Sequence, residues 1–278
     1  MNVERIKYGE VYTANSFDKI KEVPDQSIDV ILTDPPYNLG MYSTGNIKMS
    51  WRSDFNNDIA HWDRETFNPT DWLGEFQRIL KPTGNIFGFT SYNLLGEWHR
   101  AFDPVFDTFQ FMVWHKTNPA PKLRRAGFLN SCELIVCAWN KGHTWNFGRQ
   151  NEMHNFIETP ICMGRERVKN PKHPTQKPVK VLEHLLKLGS KEGDLVFDPF
   201  MGVGSTGVAA LKMQRRFLGF EKEAEYVLAA VPRLEAASGR SAVLLPQTET
   251  VRAPELELIE RVVLRPREFQ ATGEGERC

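Results

Sequence analysis

Residues 195–207, Leu-Val-Phe-Asp-Pro-Phe-Met-Gly-Val-Gly-Ser-Thr-Gly, decide the fold. Leu195–Phe197 reads as a short buried strand, Asp198 and Pro199 end it, and residues 202–207 match GxGxxG as a helical pattern begins at Ser205. Glycines at such a junction let the backbone turn tightly and let a ligand approach the main chain. Phe217–Phe220 reads as the next strand, and Glu221 stands at its end. A strand, a glycine turn, a helix and a strand ending in an acid form half of a doubly wound sheet. In that setting the acid accepts hydrogen bonds from both hydroxyls of a ribose.

Working outward, strand-like runs at 11–14, 28–33, 85–89, 109–115 and 133–139 alternate with helical patterns at 71–80, 179–188, 205–213 and 223–237. Pro178 suits a first helical turn, and Lys81-Pro-Thr-Gly84 reads as a helix stop. The expectation is an α/β fold, a doubly wound and mostly parallel sheet with helices on both faces. Two stretches depart from the alternation. Residues 38–68 read as a long loop, and residues 240–278 as a C-terminal appendage of unknown role that includes the amphipathic run Pro254–Arg265.

A chain of 278 residues with 41% hydrophobic and 25% charged residues has the make-up of a soluble globular protein. No apolar run is long enough to span a bilayer and no signal segment opens the chain, so a cytoplasmic protein without a membrane partner is expected. The four cysteines form no CxxC pair and have no neighbouring His cluster, which predicts reduced thiols and no structural metal. The net charge of zero does not by itself point to a polyanion. Its distribution says more. Lys116, Lys122, Arg124 and Arg125 fall within residues 116–125 with no acid, and residues 165–180 hold six Lys and Arg against Glu166 alone.

The glycine loop suits two adenosine ligands, a dinucleotide or S-adenosylmethionine. A carboxylate at Asp198 would repel a pyrophosphate but attract the ammonium of a methionine moiety, which favours S-adenosylmethionine. Asp34 follows a second buried strand, Ile28–Thr33, in the stretch Leu32-Thr-Asp-Pro-Pro-Tyr-Asn-Leu-Gly40. Pro35 and Pro36 end that strand and leave carbonyls facing outward. Asn15, Asp34, Asp198 and Glu221 all fall at strand C-termini, so they should line one sheet edge. An exocyclic base amine is a poor nucleophile, and its attack on a sulfonium methyl makes the nitrogen transiently cationic. Asp34 and the Pro35 carbonyl can accept its two N–H bonds, while Tyr37 offers a stacking face to a base turned out of its helix.

In their order along the chain, Asp34-Pro-Pro-Tyr37, His173-Pro-Thr-Gln-Lys-Pro178 and Asp198-Pro-Phe-Met-Gly-Val-Gly204 resemble the β-group of amino-specific DNA methyltransferases, over about residues 10–237. The resemblance implies the S-adenosylmethionine-dependent methyltransferase fold, circularly permuted. Residues 1–139 would be the catalytic half, 140–172 a small target-recognition insert and 173–239 the cofactor-binding half. It implies a catalytic Asp34-Pro35-Pro36-Tyr37 segment. It assigns the cofactor to Asn15, His173, Thr175, Lys177, Asp198, Phe200, Gly202, Gly204, Ser205 and Glu221, with Thr175 and Lys177 candidates for its carboxylate. Double-stranded DNA is the implied partner, contacted by Lys116, Lys122, Arg124, Arg125, Lys141, Arg149, Arg165 and Arg167, with Trp145, Phe147 and Phe156 among the residues of the insert. A second copy of the chain and a cognate restriction endonuclease are further candidate partners in a prokaryotic or phage setting.

Asp at position 34 is more typical of adenine N6 than of cytosine N4 methylation. The chain departs from the family at Asn15, where an acid is usual, and at Ser205, where Thr is more frequent. Neither change removes a group that the chemistry requires. Rival readings are a non-catalytic DNA-binding module and a methyltransferase for protein amides or RNA. The intact motifs argue against the first, and motif order with the basic insert argues against the second.

Overall fold

The structure, a computed structural model, describes residues 2–38, 67–121 and 127–240. Most of the expected loop 38–68, the basic residues Lys122, Arg124 and Arg125, and the expected appendage from 241 onward lie outside the described residues.

In chain order the elements are β1 (Asn2–Ile6), β2 (Gly9–Thr13), α1 (Ser16–Lys19), β3 (Ile28–Thr33), α2 (Pro69–Ile79), β4 (Leu80–Thr90), α3 (Leu95–Phe102), β5 (Thr108–Lys116), β6 (Cys132–Trp139), β7 (Phe156–Thr159), α4 (Val179–Gly189), β8 (Leu195–Asp198), α5 (Ser205–Lys212), β9 (Arg216–Glu221) and α6 (Ala224–Arg240). Among the described residues the strands form one sheet in the order β1-β2-β9-β8-β3-β4-β6-β5-β7. Every strand but β1 and β6 points the same way. The mostly parallel, doubly wound expectation therefore holds.

Side chains alternate between the two faces, as strand geometry requires. Val30 and Leu32, Phe87 and Phe89, and Ile135 and Cys137 face α4, α5 and α6. Ile31, Ile86 and Val136 face α1, α2 and α3, where Trp72, Phe76, Trp98 and Phe102 fill the layer. Helices from before residue 139 thus cover one face and helices from after residue 173 the other.

Helix starts follow local chemistry. Asn68 caps α2, its side-chain oxygen accepting from the Thr70 N–H at 3.1 Å, with Pro69 in the first turn. The main chain of α4 begins after Pro178, and its first N–H, that of Val179, donates to the Glu166 carboxylate at 2.7 Å. Helix α2 stops at Ile79 as Lys81–Gly84 suggests, yet those residues lie inside β4. Leu80 pairs with Ile28 and Asn85 with Val30, so the stop signal is accommodated as a bulge between two paired positions.

Four elements escape the sequence patterns. Strand β1 is joined to β2 through Lys7 and Tyr8, with Tyr8 at φ +66° and no glycine at either turn position. Helix α3 has no side-chain cap to signal its start, and α1 and β7 are only four residues each. The expected insert 140–172 is partly built into the body of the sheet. Asn146 donates to the Lys187 and Ser190 carbonyls at the end of α4, both at 2.8 Å, and Trp145 packs on Trp139 with ring centroids 5.1 Å apart. Strand β7 then adds beside β5.

Candidate active site

Strands β3 and β8 lie side by side, with β4 outward of one and β9 outward of the other. This is a point where strand order reverses, and ligands of such sheets bind beyond the carboxyl ends there. Asp34 leaves β3, Asp198 ends β8, Glu221 ends β9, and Asn15 follows β2 by two residues. All four line one cavity of about 400 Å³, within the usual range for small-ligand sites. His173, Thr175, Lys177, Phe200, Gly202 and Ser205 line it as well. Gly204 stands just behind as the N-terminal cap of α5.

The glycine-loop side presents acids held by backbone donors. Asp198 is buried and accepts from the Phe200 N–H at 3.0 Å. Glu221 accepts from the Gly202 N–H through one oxygen and from the Glu223 N–H through the other, each at 2.9 Å. Burial pushes the Asp198 carboxyl up to about 7, although the Thr206 hydroxyl and the Phe200 N–H oppose it. Burial also raises Glu221. Among the described residues neither acid has an ion-pair partner. Gly202 and Gly204 adopt φ of +50° and +77°, which a side chain rarely tolerates, and a Cβ on Gly202 would come within 2.8 Å of His173 Nε2. The Ser205 hydroxyl is buried on the same wall and has no hydrogen-bond partner among the described residues. Unneutralised acids, a glycine cradle and an unmatched hydroxyl suit a cation-bearing adenosine ligand such as S-adenosylmethionine.

Phe67 and Trp72 complete this side as an aromatic wall with Phe200, whose ring lies 4.9 Å from that of Trp72. Sequence patterns mark Trp72 only as an apolar helical position. Asn15 uses its side-chain oxygen to cap α1, accepting from the Phe17 N–H at 2.9 Å, and Ser16 donates to the Pro199 carbonyl. The second contact ties the β2 exit to the β8 exit. The His173 imidazole packs against the Tyr226 ring at 4.8 Å. Burial, with help from Lys177, Arg167 and Arg233, lowers its pKa to about 4, so the ring is neutral at physiological pH.

The Asp34 side is a network of paired charges. The Lys177 ammonium lies 2.5 Å from one Asp34 oxygen and 3.3 Å from Glu133. The Tyr37 hydroxyl lies 2.8 Å from the other Asp34 oxygen and 3.1 Å from Glu133, so its one proton is donated to Asp34 or to Glu133. Lys116 closes the chain on Glu133 at 2.6 Å. The same Lys177 ammonium sits 5.1 Å from the centre of the Tyr37 ring and 5.0 Å from that of Phe89. Burial pushes Asp34 above its ordinary value; Lys177 opposes that shift and Glu133 adds to it. Burial by itself would raise Glu133 too, but Lys177 and Lys116 together hold it below the usual carboxylate range. The Lys177 side chain is 5% exposed and that of Asp34 19%, so the acid is more open to the cavity than its partner.

The basic residues expected to meet a polyanion fall in different places. Lys116 is committed to Glu133. One Arg167 nitrogen donates to the His173 and Pro174 carbonyls at 3.1 and 3.2 Å, bracing the His173–Pro178 loop. Arg149 and Lys141 are exposed. Strand β6 runs opposite to β4, so Lys141, just beyond its end, emerges at the sheet edge away from the cavity. Arg165 is exposed and lines a basic hollow with Lys169 and Lys172. Glu133, missed at the level of sequence, carries no local signal beyond an acid at the start of a strand.

Comparison with known proteins agrees with this arrangement. The family model for DNA methylases of the N6/N4 methyltransferase type matches residues 28–232. Type II methyltransferase M.HinfI of Haemophilus influenzae is 31% identical over 81% of this chain and 67% of its own length. Type II methyltransferase M2.DpnII of Streptococcus pneumoniae is 32% identical over 80% of this chain and 88% of its own. The crystal structure of the M1.HpyAVI–SAM complex superposes with a TM-score of 0.62 at 26% identity, covering 81% of this chain and 98% of that one. With a strand-order reversal, a glycine cradle and three acids at one edge, within a region that a family model matches over most of the sheet, the chain belongs to the N6/N4 family of DNA methylases.

Proposed function

We propose that this DNA methyltransferase moves a methyl group from S-adenosylmethionine to the exocyclic N6 amine of an adenine turned out of duplex DNA. The observation that carries the reading is one cavity bearing both acid clusters, with the partly accessible Asp34 facing the same space as Asp198 and Glu221. S-adenosylmethionine supplies an electrophilic methyl on a sulfonium. Asp198 attracts its ammonium, Glu221 accepts from ribose hydroxyls, and the aromatic wall of Phe67, Trp72 and Phe200 shelters its adenine. Asp34 and the Pro35 carbonyl accept the two N–H bonds of the substrate amine, which points its lone pair at the methyl and stabilises the charge that develops on nitrogen. The Tyr37 ring supports the extruded base.

In this reading residues 1–139 contribute the amine acceptors and, through Phe67 and Trp72, part of the adenine wall, 173–239 the cofactor cradle, and the outer part of 140–172 the contacts that choose a sequence. Arg149 and the hollow of Arg165, Lys169 and Lys172 meet DNA phosphates, which position the duplex without reading it. The type II names of two relatives favour a cytoplasmic role beside a restriction endonuclease. No described helix is long and apolar enough to cross a membrane.

The test is transfer of labelled methyl from S-adenosylmethionine to duplex DNA by the purified chain, followed by nucleoside analysis of the product. N6-methyladenine is expected. N4-methylcytosine would overturn the choice of base, and no transfer would overturn the reading. Asp34→Ala is expected to slow transfer by about 10³-fold while cofactor affinity stays within about threefold, since Asp34 belongs to the amine side. Undiminished transfer in that variant would remove Asp34 from the mechanism.

A further inference from the structure

We infer that Glu133 is a positioning residue of the methyl transfer, the second carboxylate that receives the Lys177 ammonium when Asp34 engages the substrate amine. The inference rests on the function proposed above and concerns the state of Asp34 before the amine arrives. One Asp34 oxygen carries the Lys177 ammonium at 2.5 Å and the other the Tyr37 hydroxyl at 2.8 Å. Each oxygen keeps a second lone pair for an amine N–H. While the Lys177 ammonium neutralises the carboxylate, however, Asp34 accepts weakly, so full stabilisation of the developing cation on the amine requires Lys177 to move off Asp34. Lys177 is 5% exposed, and a buried ammonium left without a counter-charge is strongly destabilising. It needs another carboxylate within a short swing.

Glu133 meets that need in three ways. Its oxygen lies 3.3 Å from the Lys177 nitrogen, so a shift of less than an ångström, about 0.5 Å, turns the long contact into a full ion pair. The same carboxylate receives the Tyr37 hydroxyl at 3.1 Å, so the phenol proton can turn from Asp34 to Glu133 in the same movement and free both Asp34 oxygens. Lys116, 2.6 Å away on β5, holds Glu133 in place from the other side and keeps it ionised. Glu133 itself is fixed on β6, opposite Trp114 of β5. Among the described residues, the charged and titratable groups around Asp34 are Lys177, Glu133 and Tyr37, with Lys116 behind Glu133 and Asp198 across the cavity.

The experiment measures single-turnover methyl transfer across pH at saturating S-adenosylmethionine, for the wild-type chain, Glu133→Gln and Lys116→Met. Saturation removes the contribution of Asp198 to cofactor binding. Glu133→Gln keeps an acceptor of the same size without the charge, so Lys177 stays on Asp34. The rate is expected to fall about 100-fold, cofactor affinity to stay within about threefold, and the acid limb to move to lower pH, because Glu133 raises Asp34. Lys116→Met leaves the Glu133 charge uncompensated and draws Lys177 harder, so its acid limb is expected to move to higher pH. General loosening of the site would not move the two limbs in opposite directions. Glu133→Asp should recover part of the rate.

An unchanged rate and limb in Glu133→Gln, or limbs that move the same way in both variants, would overturn the inference. If Glu133→Gln does not fold, the limb of Lys116→Met decides alone: a rise supports the inference and no movement overturns it. A wild-type chain that transfers no methyl would defeat the functional reading itself. An active wild type with unmoved variants would defeat only the role of Glu133.

Discussion

Asp34 and Asp198 leave adjacent parallel strands at one sheet edge, yet they are held in opposite ways. Asp34 shares a buried lysine with Glu133 and a phenol with the same partner, in a network of two acids and two lysines. Asp198 is more deeply buried, is held by a backbone N–H, and has no cation beside it among the described residues. The difference teaches that position in a doubly wound sheet decides only where an acid points. Its neighbours decide whether it waits neutralised for a substrate hydrogen bond or stays open to a positively charged ligand. The paired cluster suits an amine acceptor that must not attract stray cations. The unpaired one suits a site whose counter-charge arrives with the cofactor.

The strongest way to break this contrast is to remove the shared cation. Lys177→Met leaves Asp34 and Glu133 facing one another with a single phenol between them. Truncating one side of a buried ion pair typically costs about 3–5 kcal/mol, so a chemical denaturation midpoint should fall steeply. One of the two carboxylates should also take up a proton nearer neutral pH, which a pH titration of stability would register. A variant as stable as the wild type would show that the lysine is not the centre of the network.

On the other side of the site the contrast depends on the cradle that aims Asp198 at the cavity. A Cβ on Gly207 would meet Leu234 at 2.5 Å and the Phe217 ring at 2.6 Å, so Gly207→Ala forces those side chains or α5 itself to shift. Overpacking of this kind costs about 1–3 kcal/mol. Thermal denaturation should show the loss, and calorimetry should show cofactor affinity falling with it.

A smaller effect sharpens the comparison by pH. A carboxyl raised to about 7 is partly protonated near neutrality, and a cationic ligand requires it charged. Affinity for S-adenosylmethionine should therefore weaken as pH falls through about 7, approaching a tenfold loss per unit below it. Asp198→Asn should bind about tenfold more weakly at pH 8, about 1.4 kcal/mol, and show no such slope. For the ligand-free protein the sign is reversed. A folded pKa above the unfolded value means that the Asp198 contribution to stability is complete below 3.8 and is lost as pH rises through about 7. A slope that persists in Asp198→Asn would assign the titration to another group. The smallest effect belongs to Lys141, which emerges at the opposite sheet edge. Lys141→Ala should leave DNA affinity and its salt dependence unchanged, whereas Arg165→Ala should lower both.

The strand exits were legible because their signals are local. Asp34-Pro-Pro-Tyr37 and Asp198–Gly207 each state a strand end, a turn and a chemical group within a dozen residues, and the structure brings them to one cavity as the edge rule requires. Lys177 was legible as a cavity residue but not as the partner of Asp34, 143 residues away in the chain. Glu133 and Lys116 were less legible still. An acid opening one strand looks like an ordinary edge residue, and Lys116 reads as part of a basic loop for DNA, until β5 and β6 pair and bring Glu133 to Tyr37 with Lys116 bound behind it. Trp72 and Phe67 carried only an apolar signal, and their meeting with Phe200 depends on how α2 packs over the β8 exit.

The sequence by itself determined the class of sheet, the glycine turn, the acids at its edge and the family, because each rests on residues that are neighbours in the chain or recur with a short period. Only the tertiary structure decided which acids are neutralised, which of the basic residues face away from the cavity, and that one buried lysine is shared between two carboxylates. Charge pairing depends on distances of a few ångströms between segments far apart in sequence. Those distances exist only after the strands have paired and the helices have closed over them.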